Sequence, residues 1–292
     1  MRFLNFSLKF ILICLSVGLF FLISTFFYFS SGLPDYKKLS NYEPPISSRV
    51  YSDNGSLIAE YALEKRLFIP YEFVPEKIIN SFLSAEDKNF FNHPGVDAKG
   101  IVRAIFNNFY NIINNKRLEG ASTITQQVAK NFLLTNEISY TRKIKEIIIA
   151  LRMERVLTKE QIMELYLNEI YLGNGSYGIT SAALNYFNKP LSELEVDEMA
   201  VLAALPKAPS TYNPYRNPEK AIKRRNWVLK RLNQEKFIDY NFYSQMLEKD
   251  LKLSRSKKIL NDNASFFKEE LRREIISRFN EEKLYDGGLT IV

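Results

Sequence analysis

Apolar residues run almost unbroken from Phe10 to Phe29, interrupted only by Ser16, Gly18, Ser24, Thr25 and the single Cys14. At about 1.5 Å per helical residue, about 20 residues reach about 30 Å, the hydrocarbon thickness of a bilayer. The run predicts one transmembrane helix, since the core of a signal peptide is shorter. Ser30, Ser31 and Gly32 are small enough for a cleavage site, which stays open as an alternative. Arg2 and Lys9 before the run, against Lys37 and Lys38 after it, favour a cytoplasmic N-terminus by a small margin. Residues 32–48 carry Gly32, Pro34, Pro44 and Pro45 and read as a connector. Arg49 to Tyr61 then reads as a β-hairpin, because Asn54-Gly55 suits a two-residue turn between β-prone flanks.

From Pro75 onward the apolar spacing is helical. Ile78, Ile79, Phe82 and Leu83 come after Pro75 at helical intervals. Thr158 with Gln161, and Ser192 with Glu195, match capping boxes, and Asn217-Pro218 reads as an N-cap and first turn. Pro206, Pro209 and Pro214 mark an extended stretch. Within Thr141–Leu157, Ile144, Ile147, Ile148 and Leu151 form a stripe that predicts the core face. Arg142 and Glu146 fall opposite, together with Ile149 and Met153. That pair reads either as an exposed i,i+4 salt bridge or as charges lining a cleft with apolar walls.

Composition narrows the classes. The 292 residues are 46 % hydrophobic and 25 % charged, which excludes wholesale disorder and allows one or two domains. One Cys and one His exclude an intrachain disulfide and Cys- or His-cluster metal sites. A net charge of +7 points to an anionic partner.

Five segments carry the chemistry. Glu86 to Gly95 sets two adjacent acids before a helix end, then aromatics and His93. Gly120 to Gln127 is a run of small, hydroxyl and amide residues leading to Lys130. Arg142-Lys143-Ile144-Lys145-Glu146 is third, Glu164 to Gly173 fourth, and Ala203 to Pro209 fifth. In this order and spacing they resemble glycosyltransferase family 51, the peptidoglycan polymerase module of class A bifunctional penicillin-binding proteins. Asn213 to Glu219 and Arg224 to Leu229 resemble the segments C-terminal to that module, and Gly287-Gly288-Leu289-Thr290 resembles the lead-in to a transpeptidase domain. The resemblance therefore predicts a chain that stops before such a domain.

The resemblance implies a mainly α fold: a lysozyme-like, two-lobed glycosyltransferase domain with a small N-terminal β-hairpin, preceded by one transmembrane helix. It divides the chain into residues 1–31 (cytoplasmic N-terminus and anchor), 32–74 (connector and hairpin), 75–235 (catalytic domain) and 236–292 (helical linker). It implies a single-pass protein of the bacterial cytoplasmic membrane, with its catalytic domain on the outer face. The substrates are lipid II and the nascent glycan strand, with the membrane and other cell-wall synthesis proteins as further partners and no nucleic acid. Glu86 is assigned as the general base and Glu146 as the second catalytic carboxylate. Asp87, Arg103, Ser122, Thr123, Gln127, Lys130, Arg142 and Lys143 are assigned to substrate binding. Ser122 or Thr123 can equally cap a helix. Asp87 can equally orient its neighbours. His93, Tyr166 and Asn168 are read as structural residues near the site. Mg²⁺ or Mn²⁺ is a substrate-assisted cofactor at most, with Glu146 beside the pyrophosphate; no organic cofactor is expected.

Rival readings are a glycan-cleaving lysozyme-like hydrolase, a non-catalytic scaffold and a nucleic-acid binder. The Ser-Thr-Ile-Thr-Gln-Gln run with Arg-Lys-x-x-Glu suits pyrophosphate recognition and separates the polymerase from the hydrolase. Ser254-Arg255-Ser256-Lys257 fits Ser-x-x-Lys by chance, because no Lys-Thr-Gly accompanies it.

Overall fold

The computed structural model describes residues 67–114, 116, 120–134, 139–254 and 265–292, strand residues 48–55 and 57–61, and scattered positions between Leu12 and Leu39. Much of the apolar run (Phe10, Ile11, Leu15 and Leu19 among others), most of the connector, Asn115 and residues 255–264 lie outside the described residues. Among the described residues no helix is long and apolar enough to cross a membrane.

Strands β1 (Ser48–Tyr51) and β2 (Leu57–Tyr61) form the expected antiparallel hairpin. Gly55 sits in its turn with φ of 78°, a conformation cheap only for glycine. Strand β3 (Thr290–Ile291) joins β1 in parallel, so the sheet order is β2-β1-β3.

Between the hairpin and β3 the chain is mainly helical: α1 (Glu76–Glu86), α2 (Ala98–Ile113), α3 (Ile124–Leu133), α4 (Tyr140–Met153), α5 (Lys159–Glu169), α6 (Ile179–Phe187), α7 (Val196–Ala204), α8 (Pro218–Gln234), α9 (Tyr240–Glu248), α10 (Ser265–Phe279) and α11 (Glu281–Asp286). Helix α7 is buried along its whole length. Its small residues Ala200, Ala203 and Ala204 let neighbouring helices approach closely, and α1 and α8 pack against it. Helix α3 packs on α4 and α5. One core unites them, with Phe82 on α1, Val128 on α3, Ile149 on α4, Tyr166 on α5, Leu202 on α7 and Leu229 on α8.

The local signals decide where these helices begin. Thr158 and Gln161 form the expected capping box, and Asn217 precedes Pro218 at the start of α8. The third box lies one turn later than expected: Glu195 and Glu198 cap α7, while Ser192 sits in a short 3₁₀ turn. On α4 the core face also differs. Glu146, Ile149 and Met153 are buried, whereas Ile144, Ile147 and Leu151 are half-buried. Core packing of Ile149 and Met153 outweighs the longer aliphatic stripe because that side of α4 meets the rest of the core.

Helix α2 stands off this core. Only Gly100 and Ala104 are buried, and Ile105, Phe106, Phe109, Tyr110, Ile112 and Ile113 are exposed. Helix α2 therefore presents an aromatic-aliphatic surface.

A second, smaller core joins the hairpin to the last helices: Val50, Ala59, Ile275 and Leu284. Ser48 clamps it, since its Oγ accepts from the Leu289 amide at 2.9 Å and donates to the Lys283 carbonyl at 3.3 Å. Leu284→Ala should cost about 2–5 kcal/mol for a buried leucine, concentrated in this small core. Hydrogen exchange should then show amides of α11, β1 and β3 losing protection while α1, α3 and α7 keep theirs.

Candidate active site

Helix α1 ends where the chemistry begins. Phe82 and Leu83 anchor its last turn in the core, and Glu86, four residues after Phe82, projects from the same face. Glu86 Oε2 accepts a hydrogen bond from Gln127 Nε2 at 2.9 Å. The carboxyl keeps a little solvent contact yet is enclosed by protein. Burial pushes its pKa up, the proximity of Asp87 adds to the rise, and the Gln127 bond and the charges of Arg224 and Lys207 oppose it.

Asp87 caps α1 and faces inward. Its oxygens lie 3.1 and 3.0 Å from His93 Nε2, and Oδ2 accepts from the Ile124 amide at 3.0 Å. That amide belongs to the first turn of α3, where a carboxylate is favoured by the unpaired N–H groups. The Gly95 amide donates to His93 Nδ1 at 3.2 Å, which leaves Nε2–H to donate to Asp87. Gly95 itself has φ of 91°, and a Cβ there would lie 2.8 Å from the Ala150 carbonyl oxygen, so the loop lies directly on α4.

Thr123 closes the ring. Its hydroxyl donates to the Gly95 carbonyl at 2.6 Å and accepts from the Gln126 amide at 3.2 Å, and Gln126 Oε1 accepts from the Thr123 amide at 2.9 Å. The resemblance assigns Thr123 and Asp87 to substrate binding. Both are buried, and their side chains make hydrogen bonds inside the protein. Of the two candidates for the cap, it is Thr123 that caps α3. Below the loop, Lys159 donates to the His93 carbonyl and to Glu154, both at 2.7 Å, and lies over the Phe90 ring.

The second carboxylate lies on α4. Glu146 is only 3 % exposed. Arg142 Nη1 is 2.9 Å from its Oε1 and Lys143 Nζ is 2.7 Å from its Oε2. Lys143 Nζ also donates to Ser122 Oγ at 2.7 Å, which links this cluster to Thr123. The Arg142–Glu146 pair is thus buried on its acidic side, which excludes the exposed-surface reading. Two cations meet one carboxylate, leaving an excess positive charge. Arg142 Nε, although buried, has no hydrogen-bond partner among the described residues.

The structure brings most predicted residues together. Lys130 is half-buried on the last turn of α3, three residues after Gln127 and so on the same face. Arg103 is exposed on α2, where its charge, like that of His93, is felt by Asp97. Asn168 is a brace: Oδ1 accepts from the Ile69 amide at 2.9 Å, and Nδ2 donates to the Ile69 and Glu164 carbonyls. Tyr166 is buried with its ring against Phe82. Sequence reasoning assigns no role to Lys207 or Arg224, the two cations that face Glu86. Both sit in segments it singles out, but only folding reveals that Arg224 is 8 % exposed and stacked on Trp227 at 3.7 Å.

Comparisons with known proteins show the family. A family model described as Transglycosylase matches residues 54–233. Penicillin-binding protein 1A of Rickettsia felis is 47 % identical over 290 residues, covering 99 % of this chain and 37 % of that protein. Its namesake in Pseudomonas aeruginosa is 43 % identical, covering 90 % of this chain and 32 % of that protein. The crystal structure of penicillin-binding protein 1A from Haemophilus influenzae matches 85 % of this chain and 27 % of its own, with a TM-score of 0.50 at 28 % identity. The chain therefore spans between 27 % and 37 % of the length of these relatives.

The raised pKa of Glu86 has a measurable cost. Because the folded state binds this proton more tightly than the unfolded state, stability is lost as pH rises above the ordinary glutamate range toward the folded pKa. Glu86→Gln keeps the shape and the Gln127 contact without the buried charge. It should melt higher than wild type at about pH 8, with the gap closing by about pH 4. Thermal melts across that range check it.

Proposed function

The chain belongs to the transglycosylase family, and on that premise we propose that it is a peptidoglycan glycosyltransferase, polymerising lipid II into glycan strands. The observation that carries the proposal is the pairing of two different environments. One carboxylate, Glu86, is enclosed, raised in pKa and held by a single amide. The other, Glu146, is neutralised by two cations that carry charge to spare.

In this reading the growing strand is the donor, its C1 bonded to pyrophosphate. Ionised Glu86 takes the proton from the 4-hydroxyl of the incoming N-acetylglucosamine. That oxygen attacks C1 from the face opposite the pyrophosphate, the C1–O bond breaks, and configuration inverts. A raised pKa makes Glu86 a stronger base than an exposed glutamate. Lys130, Arg142 and Lys143 stabilise the departing pyrophosphate, with the unpartnered Arg142 Nε as a donor in reserve. Gln127 orients Glu86, and the Asp87–His93 pair holds the turn that presents it. A hydrolase has no use for this cationic excess, because water displaces a sugar oxygen without two departing phosphates.

The donor set does not fit a resident divalent cation. Glu146 already faces Arg142 and Lys143, and the described residues contain no group of three or more His, Cys, Asp or Glu suited to a metal. No step is assigned to Mg²⁺ or Mn²⁺.

The lipid-linked substrate also calls for a membrane seat. In our reading the Phe10–Phe29 run anchors the chain with its N-terminus in the cytoplasm and the catalytic body on the outer face. The helical core and α2 form the two lobes of a lysozyme-like domain. Helix α2 supports this seat: Phe109 and Ile113 are 70 % and 66 % exposed, and they lie four residues apart on one side.

Two measurements test the proposal. With labelled lipid II, wild type should build a glycan ladder, and Glu86→Gln should slow it by about 10²–10⁴-fold. A folded wild type that builds none overturns the function, and equal ladders from both overturn the base. In a variant lacking residues 1–31, Phe109→Ser with Ile113→Ser should weaken binding to anionic vesicles at least several-fold; unchanged binding removes the α2 seat.

A further inference from the structure

Tyr166 holds a buried polar atom that the fold alone does not explain. The residue is 1 % exposed, and its hydroxyl has no hydrogen-bond partner among the described residues. A hydroxyl stripped of water and left unpaired costs free energy, so a phenylalanine would suit a purely architectural position better. Tyr166 comes from α5, and its ring packs edge-on against Phe82 with centroids 6.0 Å apart. Glu86 stands one turn above Phe82 on the same face of α1. The ring therefore lies beneath the carboxyl that does the chemistry.

The neighbours of Glu86 leave one role open. Gln127 from α3 occupies Oε2. Lys207 from the loop after α7, Arg224 from α8 and Asp87 at the end of α1 act through charge. Asp87 already receives His93 and the Ile124 amide, and its charge acts on the Tyr166 phenol less than that of Glu86 does. The charges of Glu86 and Asp87 both add to the burial that drives the Tyr166 phenol well above its usual pKa, so it stays a neutral O–H donor.

We infer that Tyr166 is a positioning residue for Glu86, its hydroxyl donating a hydrogen bond through one bound water to the ionised carboxylate. It favours the ionised form in addition to Gln127 and so offsets part of the burial that would keep Glu86 protonated. The assignment rests on the proposed function only for its kinetic arm.

The test uses the full chain in detergent with ¹³C-labelled glutamate carboxyls, the Glu86 signal being identified by its loss in Glu86→Gln. In Tyr166→Phe the Glu86 titration midpoint should rise by about 1 pH unit. With lipid II, the acidic limb of kcat/KM should rise by the same amount, so activity falls about tenfold below the midpoint and recovers at high pH. Fluorotyrosine placed at position 166, a more acidic and therefore better donor, should move the midpoint down, and it retains the ring should Tyr166→Phe fold poorly. A uniform loss of activity at every pH with an unmoved midpoint overturns the inference. A midpoint that moves in a protein making no polymer overturns the proposed function and upholds the Tyr166 assignment.

Discussion

The site depends on the buried contact of Asp87 with His93 and the first amide of α3. A carboxylate is costly to bury unless its lone pairs are satisfied. Here they are met by an imidazole N–H and a backbone N–H at a helix start, where the unpaired amides already favour negative charge. That one contact fixes the end of α1 against the beginning of α3. Glu86 is the residue before Asp87, and Gln127 lies one turn into α3. The distance between the base and the amide that orients it is thereby set by a neighbour that need not touch substrate. Gly95 completes the arrangement, because its Thr123 and Ala150 contacts hold the loop that carries His93.

The two carboxylates then diverge in character through surroundings alone. Glu86 is enclosed by protein with a single direct donor, so its proton affinity rises. Glu146, more deeply buried by surface area, receives two cations at ion-pair distance. One group is thus suited to taking a proton, the other to gathering positive charge.

Much of this was legible in the sequence, and the exceptions are instructive. The hairpin came from Asn54-Gly55, and the α5 and α8 starts from Thr158 and Pro218, because turn and cap chemistry is local. The five segments identified nearly every polar residue that the fold assembles around Glu86 and Glu146. What failed was anything decided by distant packing. The core side of α4 depends on which helices meet Ile149 and Met153. The capping box at Glu195 rather than Ser192 depends on the 3₁₀ turn before α7. Arg224 faces Glu86 only because α8 crosses α1, which no spacing along the chain encodes.

The pairing of β1 with β3 has a mechanical side. These strands bracket the whole helical body in sequence yet lie side by side, running in the same direction. A pull between the chain before Ser48 and the chain at Ile291 therefore loads their hydrogen bonds in shear, so that they must fail together rather than one after another. Tension between those points passes through the sheet and bypasses the catalytic helices. Strain between those points is thus taken up by a small clasp, and the geometry around Glu86 stays slack.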